Sequence, residues 1–154
     1  MNSVTADGFA GLVVLALERM AFVVLEPSHQ SVAEALARAV AHASITIEGG
    51  ERYQLAVSVT PGVVREVAAG MMGLDTDEID VDDHACATAA ELANILAGEL
   101  VMLLTSGDSP MVLGLPRELD DEGAGACFEA AAISGFSSVF ECDAGTLSFA
   151  LQVV

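Results

Sequence analysis

The sequence contains no lysine and no tryptophan, and its side-chain positive charge comes from five arginines set against 23 aspartates and glutamates. A formal net charge of -18 argues against a nucleic-acid partner or an anionic membrane surface, because both are held by clustered basic side chains that displace counterions. Without lysine there is no phosphate-cradling G-x-x-x-x-G-K-[ST] loop, and the glycines between 62 and 73 do not form one. Cysteine is scarce: Cys86, Cys127 and Cys142 form no CxxC pair and sit among apolar neighbours, which fits reduced core thiols in a cytoplasmic protein. The first residues carry no basic stretch, and the apolar run 9–25 is interrupted by Glu18-Arg19, so neither a signal peptide nor a membrane span is expected. The acidic excess either steers the chain toward a basic patch on another protein or reflects adaptation to a salt-rich cell. Composition leaves both open.

Hydrophobic residues make up 53% of the chain and charged ones 18%, with proline and glycine scattered, so residues 1–154 are expected to form one packed domain without metal or disulfide staples. Residues 5–20 read as a helix capped by Thr5 or Asp7, with Phe9, Leu12, Leu15/Ala16 and Met20 at helical spacing. Residues 21–26 either continue that helix or form a strand that Pro27 ends, and 31–41 carry alanine-rich helical periodicity. Strand patterns at 44–48 and 53–59 flank Gly49-Gly50 as a hairpin, and Pro61 opens a short helix over 61–72. The acidic stretch 75–83 is a loop or the lead-in to a long helix over 82–105, where carboxylates suit the positive end of the helix dipole. After a break at Ser106-Gly107-Asp108, segments 111–115, 124–134, 138–142 and 147–154 read as short strands. The order predicts an α+β domain, an antiparallel or mixed sheet packed with long helices.

On a helical wheel of the long helix, Ala89, Leu92, Leu96, Leu100 and Leu103 share one arc, expected in the core. Ala87, Ala90, Glu91, Asn94 and Gly98 gather on the opposite one, and Glu99, near the core arc, is expected at the sheet edge or paired with an arginine. A Glu and an Asn one turn apart on an exposed face are commonplace. Asparagine, however, costs a helix interior roughly 0.5 kcal/mol against alanine and Gly98 about 1 kcal/mol, so two unfavourable choices fall on one stripe of an otherwise strong helix. A functional surface accounts for both.

The segment Glu91-Leu92-Ala93-Asn94-Ile95-Leu96-Ala97-Gly98 resembles the E-x-x-N signature, followed by a glycine, of the CheC/CheX/FliY family of phosphatases that act on the phosphorylated response regulator CheY. The hairpin, the Thr60-Pro61 boundary, Met71-Met72-Gly73-Leu74, the acidic connector and Leu113-Gly114-Leu115-Pro116 extend the likeness over about 44–154. A single E-x-x-N is similar to CheX rather than CheC, which carries two. Arg117-Glu118-Leu119 depart from the apolar residues that usually follow the proline, and 31–41 have no counterpart.

The resemblance implies a CheC/CheX-like α+β fold and an aspartyl-phosphate phosphatase for a CheY-like response regulator. In it Asn94 orients the attacking water, Glu91 docks onto the regulator's lysine, and Ala87, Ala90 and Gly98 form the contact surface. It also implies a homodimer joined through its sheets and no cofactor in this chain, Mg²⁺ belonging to the partner receiver domain. A non-catalytic module that docks a receiver or a flagellar-switch component through the same helix is the alternative, and a structural homo-oligomeric adaptor a third.

Other constellations are weaker. His29, His42 and His84 lack a partner at ligand spacing and read as surface or cap histidines. Asp75, Asp77, Asp80, Asp82 and Asp83 lack the glycine and closing glutamate of a calcium loop. Ser106-Gly107 and Ser134-Gly135 do not complete G-x-S-x-G and read as turns, and the six methionines read as core filler.

Overall fold

The computed structural model describes residues 4–104 and 110–154. The end of the long helix at Thr105 and the break at Ser106-Gly107-Asp108 lie outside them. Among the described residues one sheet runs in the order β1-β6-β7-β3-β2-β4, with β5 also paired to β2, and every pairing is antiparallel. Its strands are β1 (Glu26–Pro27), β2 (Ala41–Gly49), β3 (Glu51–Val59), β4 (Val112–Leu113), β5 (Arg117–Leu119), β6 (Gly135–Cys142) and β7 (Gly145–Val153). The helices are α1 (Ala6–Ala21), α2 (Val32–Arg38), α3 (Pro61–Met72), α4 (Val81–Leu104) and α5 (Asp121–Ser134).

Local chemistry sets most boundaries. Thr5 caps α1 by accepting the Gly8 N–H, Ser31 caps α2 through the Glu34 N–H, and Gly73, at φ 70°, ends α3. Gly50, at φ 78°, turns the β2–β3 hairpin, whose register pairs Ala41 with Val59 through Gly49 with Glu51. Helix α1 stops at Ala21 because Phe22 takes a left-handed conformation at φ 58°. Beyond it, 22–25 are neither helix nor strand; the strand, β1, is only Glu26 and Pro27 and ends at the proline, which lies opposite Phe140 where an edge tolerates its missing N–H.

The sheet is covered on both sides. Ala43, Ile45 and Ile47 of β2, Leu55, Val57 and Val59 of β3, and Leu147, Phe149 and Leu151 of β7 meet α1, α3 and α4 in the main core. The opposite face presents smaller residues, Ala56 and Ala150, to Cys127, Phe128 and Ala131 of α5 and to Val32 and Leu36 of α2. Alternation along the central strands therefore separates large apolar residues on one buried face from small ones on the other.

Several expectations are corrected. Residues 124–134 are helical, not a strand: Asp120 caps α5 by accepting the Gly123 N–H, and Ala124, Cys127, Phe128 and Ala131 bury one helical stripe. Ser134-Gly135 is accordingly no turn but the direct passage from α5 into β6. The buried stripe of α1 is Phe9, Val13, Ala16, Leu17 and Ala21, whereas Leu15 and Met20 face solvent. Leu103 is exposed at the end of α4, and Met71, Met72 and Met102 are exposed rather than core.

Candidate functional site

Helix α4 begins where the Asp80 carboxylate accepts the Asp82 N–H at 3.0 Å, and Asp82 and Asp83 lie in the first turn, at the positive end of the dipole. It is long and apolar enough to cross a membrane, yet Ala85, Thr88, Ala89, Leu92, Ala93, Leu96, Ala97 and Leu100 are buried along one side of it. At 100° per residue these eight occupy one arc, and Ala87, Asn94, Glu91 and Gly98 centre on the arc opposite. Glu91, Asn94 and Ala87 are exposed, Gly98 among them is half-buried, and Ala90 is half-buried at the arc's border. A Cβ at Gly98 would meet nothing within 4 Å, so no neighbouring element in the fold demands a glycine there.

Contacts on both flanks fix the rotation of this helix. On one side Arg19 of α1 is ion-paired with Glu99, as its position beside the core arc requires. On the other, the Cys86 thiol donates to the Glu118 carboxylate of β5 at 3.1 Å. Cys86 is thus exposed rather than a core thiol, and that hydrogen bond to an anion, followed by partial burial, pushes its pKa up and makes it a poor nucleophile. Burial raises the thiols of Cys127 and Cys142 as well. Between these two flanks, neither Glu91 nor Asn94 has a hydrogen-bond or ion-pair partner among the described residues. A carboxylate and an amide, one turn apart on a locked helix, are presented to whatever lies outside.

His42 is not a surface histidine. It is buried in β2 beneath α5, with Nδ1 2.7 Å from the Ser58 Oγ and Nε2 2.8 Å from the Asp121 carboxylate. Serine, histidine and aspartate meet, but Ser58 is only 2% exposed and unreachable by a substrate, so the trio fastens the first turn of α5 to the sheet. His84 is tied through Nδ1 to the Asp80 carbonyl at 2.9 Å. Asp75 and Glu78 engage each other around a single 3₁₀ turn, Thr76–Glu78, and no group of three or more His, Cys, Asp or Glu is arranged for a metal ion among the described residues.

Residues 41–132, which include the whole of α4, match the family described as chemotaxis phosphatase CheX. No curated protein matches the chain. In fold it is similar to the chemotaxis protein CheX of Vibrio vulnificus, with a TM-score of 0.68 and 16% identity over 100% of this chain and 99% of that one. It is similar also to a chain of the CheX–CheY–BeF3–Mg²⁺ complex from Borrelia burgdorferi, at TM-score 0.65 and 15% identity, covering 94% of each. A CheC-like chemotactic protein from Shewanella oneidensis MR-1 gives TM-score 0.66 and 16% identity, covering 97% of each. Part of this likeness runs through Arg117–Leu119, which despite its charged residues forms β5 and pairs with His42, Ala43 and Ser44.

Proposed function

The chain belongs to the CheX family of chemotaxis phosphatases, and from that premise we propose that it accelerates hydrolysis of the aspartyl phosphate on a CheY-like response regulator through Asn94 and Glu91 of α4. The observation that carries this reading is the exposed, unpartnered pair on a helix held from both sides. An acyl phosphate in a receiver domain is already polarised by that domain's Mg²⁺ and lysine, so what a phosphatase adds is a water fixed in line with the phosphorus. The Asn94 amide is suited to holding that water, since its oxygen accepts from it and its NH₂ donates, with no charge to be neutralised as the reaction proceeds. Glu91, one turn back, pairs with the receiver's lysine and sets the register of the helix against the phosphate. Ala87, Ala90 and Gly98 keep the surface low enough for that approach.

In this reading the net charge of -18 steers the chain toward a basic patch on the receiver. A homodimer is part of the proposal. Glu26 and Pro27 pair with the outer edge of β6 and the Ser28 N–H reaches its Val139 carbonyl, leaving Gly135 to Ser138 without a neighbouring strand on that side among the described residues, and light scattering tests whether a second copy pairs there.

The decisive assay mixes the protein with a phosphorylated receiver and Mg²⁺ and follows phosphate loss for wild type, Asn94→Ala and Glu91→Ala. Asn94→Ala is expected to abolish acceleration while still binding, and Glu91→Ala to weaken binding. Binding by wild type without faster phosphate loss assigns the surface to docking alone, and an Asn94→Ala variant as fast as wild type removes Asn94 from the mechanism.

A further inference from the structure

Helix α3 opens on Thr60-Pro61-Gly62. Thr60, the N-cap residue, does not cap with its side chain: its hydroxyl donates to the Thr146 carbonyl at 3.3 Å and accepts the Thr146 N–H at 2.9 Å. The helix's own ladder begins with the Val64 N–H on the Thr60 carbonyl, 3.1 Å, and Pro61 has no N–H. The N–H groups of Gly62 and Val63 are therefore left at the positive end of a 12-residue helix.

Gly62 borders a cavity of about 290 Å³ lined by Gln30, Arg38, Thr60, Arg65 and Thr146, with Pro61 and the Ala144-Gly145 turn as its other walls, whereas Val63 is buried behind it. No carboxylate lines it. Arg38 and Arg65 have no ion-pair partner among the described residues, in a chain that has five arginines and 23 acidic residues to pair with them. Thr146 is 4% exposed, and its hydroxyl has no hydrogen-bond partner; the buried amide oxygen of Gln30 has none either. A buried polar group without a partner is costly, and the two residues that carry one, Thr146 and Gln30, both line this cavity together with Arg38, Arg65 and a helix N-terminus. The walls are kept close by glycine. A Cβ on Gly62 would fall 1.9 Å from the Ala144 carbonyl oxygen, and one on Gly145 2.2 Å from the Thr60 hydroxyl.

We propose that this cavity binds a small phosphate-bearing anion, either inorganic phosphate or the terminal group of a small monoester. The lining offers donors from several separate segments: the Gly62 N–H, two guanidinium forks, the Thr146 hydroxyl and the Gln30 amide, whose NH₂ can be turned inward. A tetrahedral anion with three or four oxygens uses that spread, whereas a planar carboxylate satisfies only part of it. The site shares no residue with α4 and stands independently of the phosphatase reading.

Isothermal titration calorimetry of the full chain at constant ionic strength tests it, with inorganic phosphate, glycerol phosphate and acetate as separate titrants. Saturable one-site binding of phosphate or glycerol phosphate is expected, the tighter of the two naming the source, with acetate at least tenfold weaker. Arg65→Gln, an exposed change that leaves the fold intact, and Thr146→Val, nearly isosteric, are each expected to weaken binding at least tenfold. Arg52→Gln, whose arginine pairs with Glu48 elsewhere, is expected to leave it unchanged. No saturable binding, equal affinity in Arg65→Gln, an equal loss in Arg52→Gln, or acetate binding as tightly as phosphate overturns the proposal; should Thr146→Val fail to fold, Arg65→Gln decides.

Discussion

Replacing Asn94 by alanine is expected to give a protein that is more stable and inactive. The side chain is exposed and has no partner among the described residues, so its removal costs no contact, and the change from a poor helix former to the best one gains about 0.5 kcal/mol. Gly98→Ala works in the same direction. Its new Cβ would meet nothing within 4 Å, and the entropy saved in the unfolded chain is worth about 1 kcal/mol. The two sites are one turn apart but share no partner, so their effects add to about 1.5 kcal/mol. For a chain of this size that is a rise in Tm of about 3–6 °C.

The functional cost runs the other way. Losing the group that fixes the attacking water is expected to slow assisted dephosphorylation by about 100-fold or more, the scale of losing one well-placed positioning group. Gly98→Ala leaves Asn94 in place but raises the docking surface by one methyl, so KM is expected to rise several-fold with kcat little changed. Differential scanning calorimetry gives the stability, and phosphate release from a phosphorylated receiver gives the rate. The opposite signs separate function from folding: a slow variant with a higher Tm has not lost its structure. An Asn94→Ala protein that melts lower than wild type, or dephosphorylates as fast, refutes the reasoning.

Glycine in α3 behaves in the opposite sense: a Cβ on Gly70 would fall 1.8 Å from the Ala21 carbonyl oxygen, where α1 crosses α3, so Gly70→Ala is expected to destabilise by about 3 kcal/mol in urea unfolding. His42→Ala leaves the buried Ser58 hydroxyl unpartnered and α5 unfastened, costing about 3 kcal/mol by the same measurement, while Asp121→Asn, at an exposed carboxylate, costs far less. Tyr53 is the only tyrosine and there is no tryptophan, so its phenolate absorbance is read without interference. Burial and then its hydrogen bond to Glu51 raise its pKa from 10.0 to about 12. The folded state thus holds the proton more tightly than the unfolded one: the stability this confers is full below pH 10 and is lost as pH rises toward 12. The titration midpoint is expected near 12 in buffer and near 10 in denaturing urea.

Where a boundary rests on local chemistry, it is legible directly. Pro61 and Gly73 bracket α3, and Gly50 turns β2 into β3, with Gly49 still paired to Glu51. Asp121–Ser134 is harder to read because AGACFEAAAIS has almost no polar face: alanine suits either side of a helix, and Phe128 and Ile133 suggest a strand. The Asp120 cap is the available signal. What places the helix is tertiary, since α5 lies across the face of β2, β3 and β7 where His42, Ser58, Ala56 and Ala150 stay small or polar enough to admit it. The same covering explains His42, whose strand alternation points to solvent until a second helical layer buries it.

The two sites differ in legibility for a physical reason. Asn94 and Gly98 stand out in sequence because each lowers the stability of a helix that is otherwise alanine and leucine, and both fall on one stripe; the structure adds that Gly98 is not required by packing and that Asn94 is exposed. In the cavity at the start of α3, every component has an ordinary local meaning. Proline at the first helical position and glycine beside a tight turn are standard chemistry, and Thr60 reads as a cap. Only the fold brings Thr146 to it across 86 residues, turns the Thr60 hydroxyl away from capping, and adds Gln30, Arg38 and Arg65 from elsewhere. A site assembled from locally favourable residues leaves no local conflict to notice. Its signature is instead a shortage of partners, two buried polar atoms and two arginines unanswered in a chain rich in carboxylates.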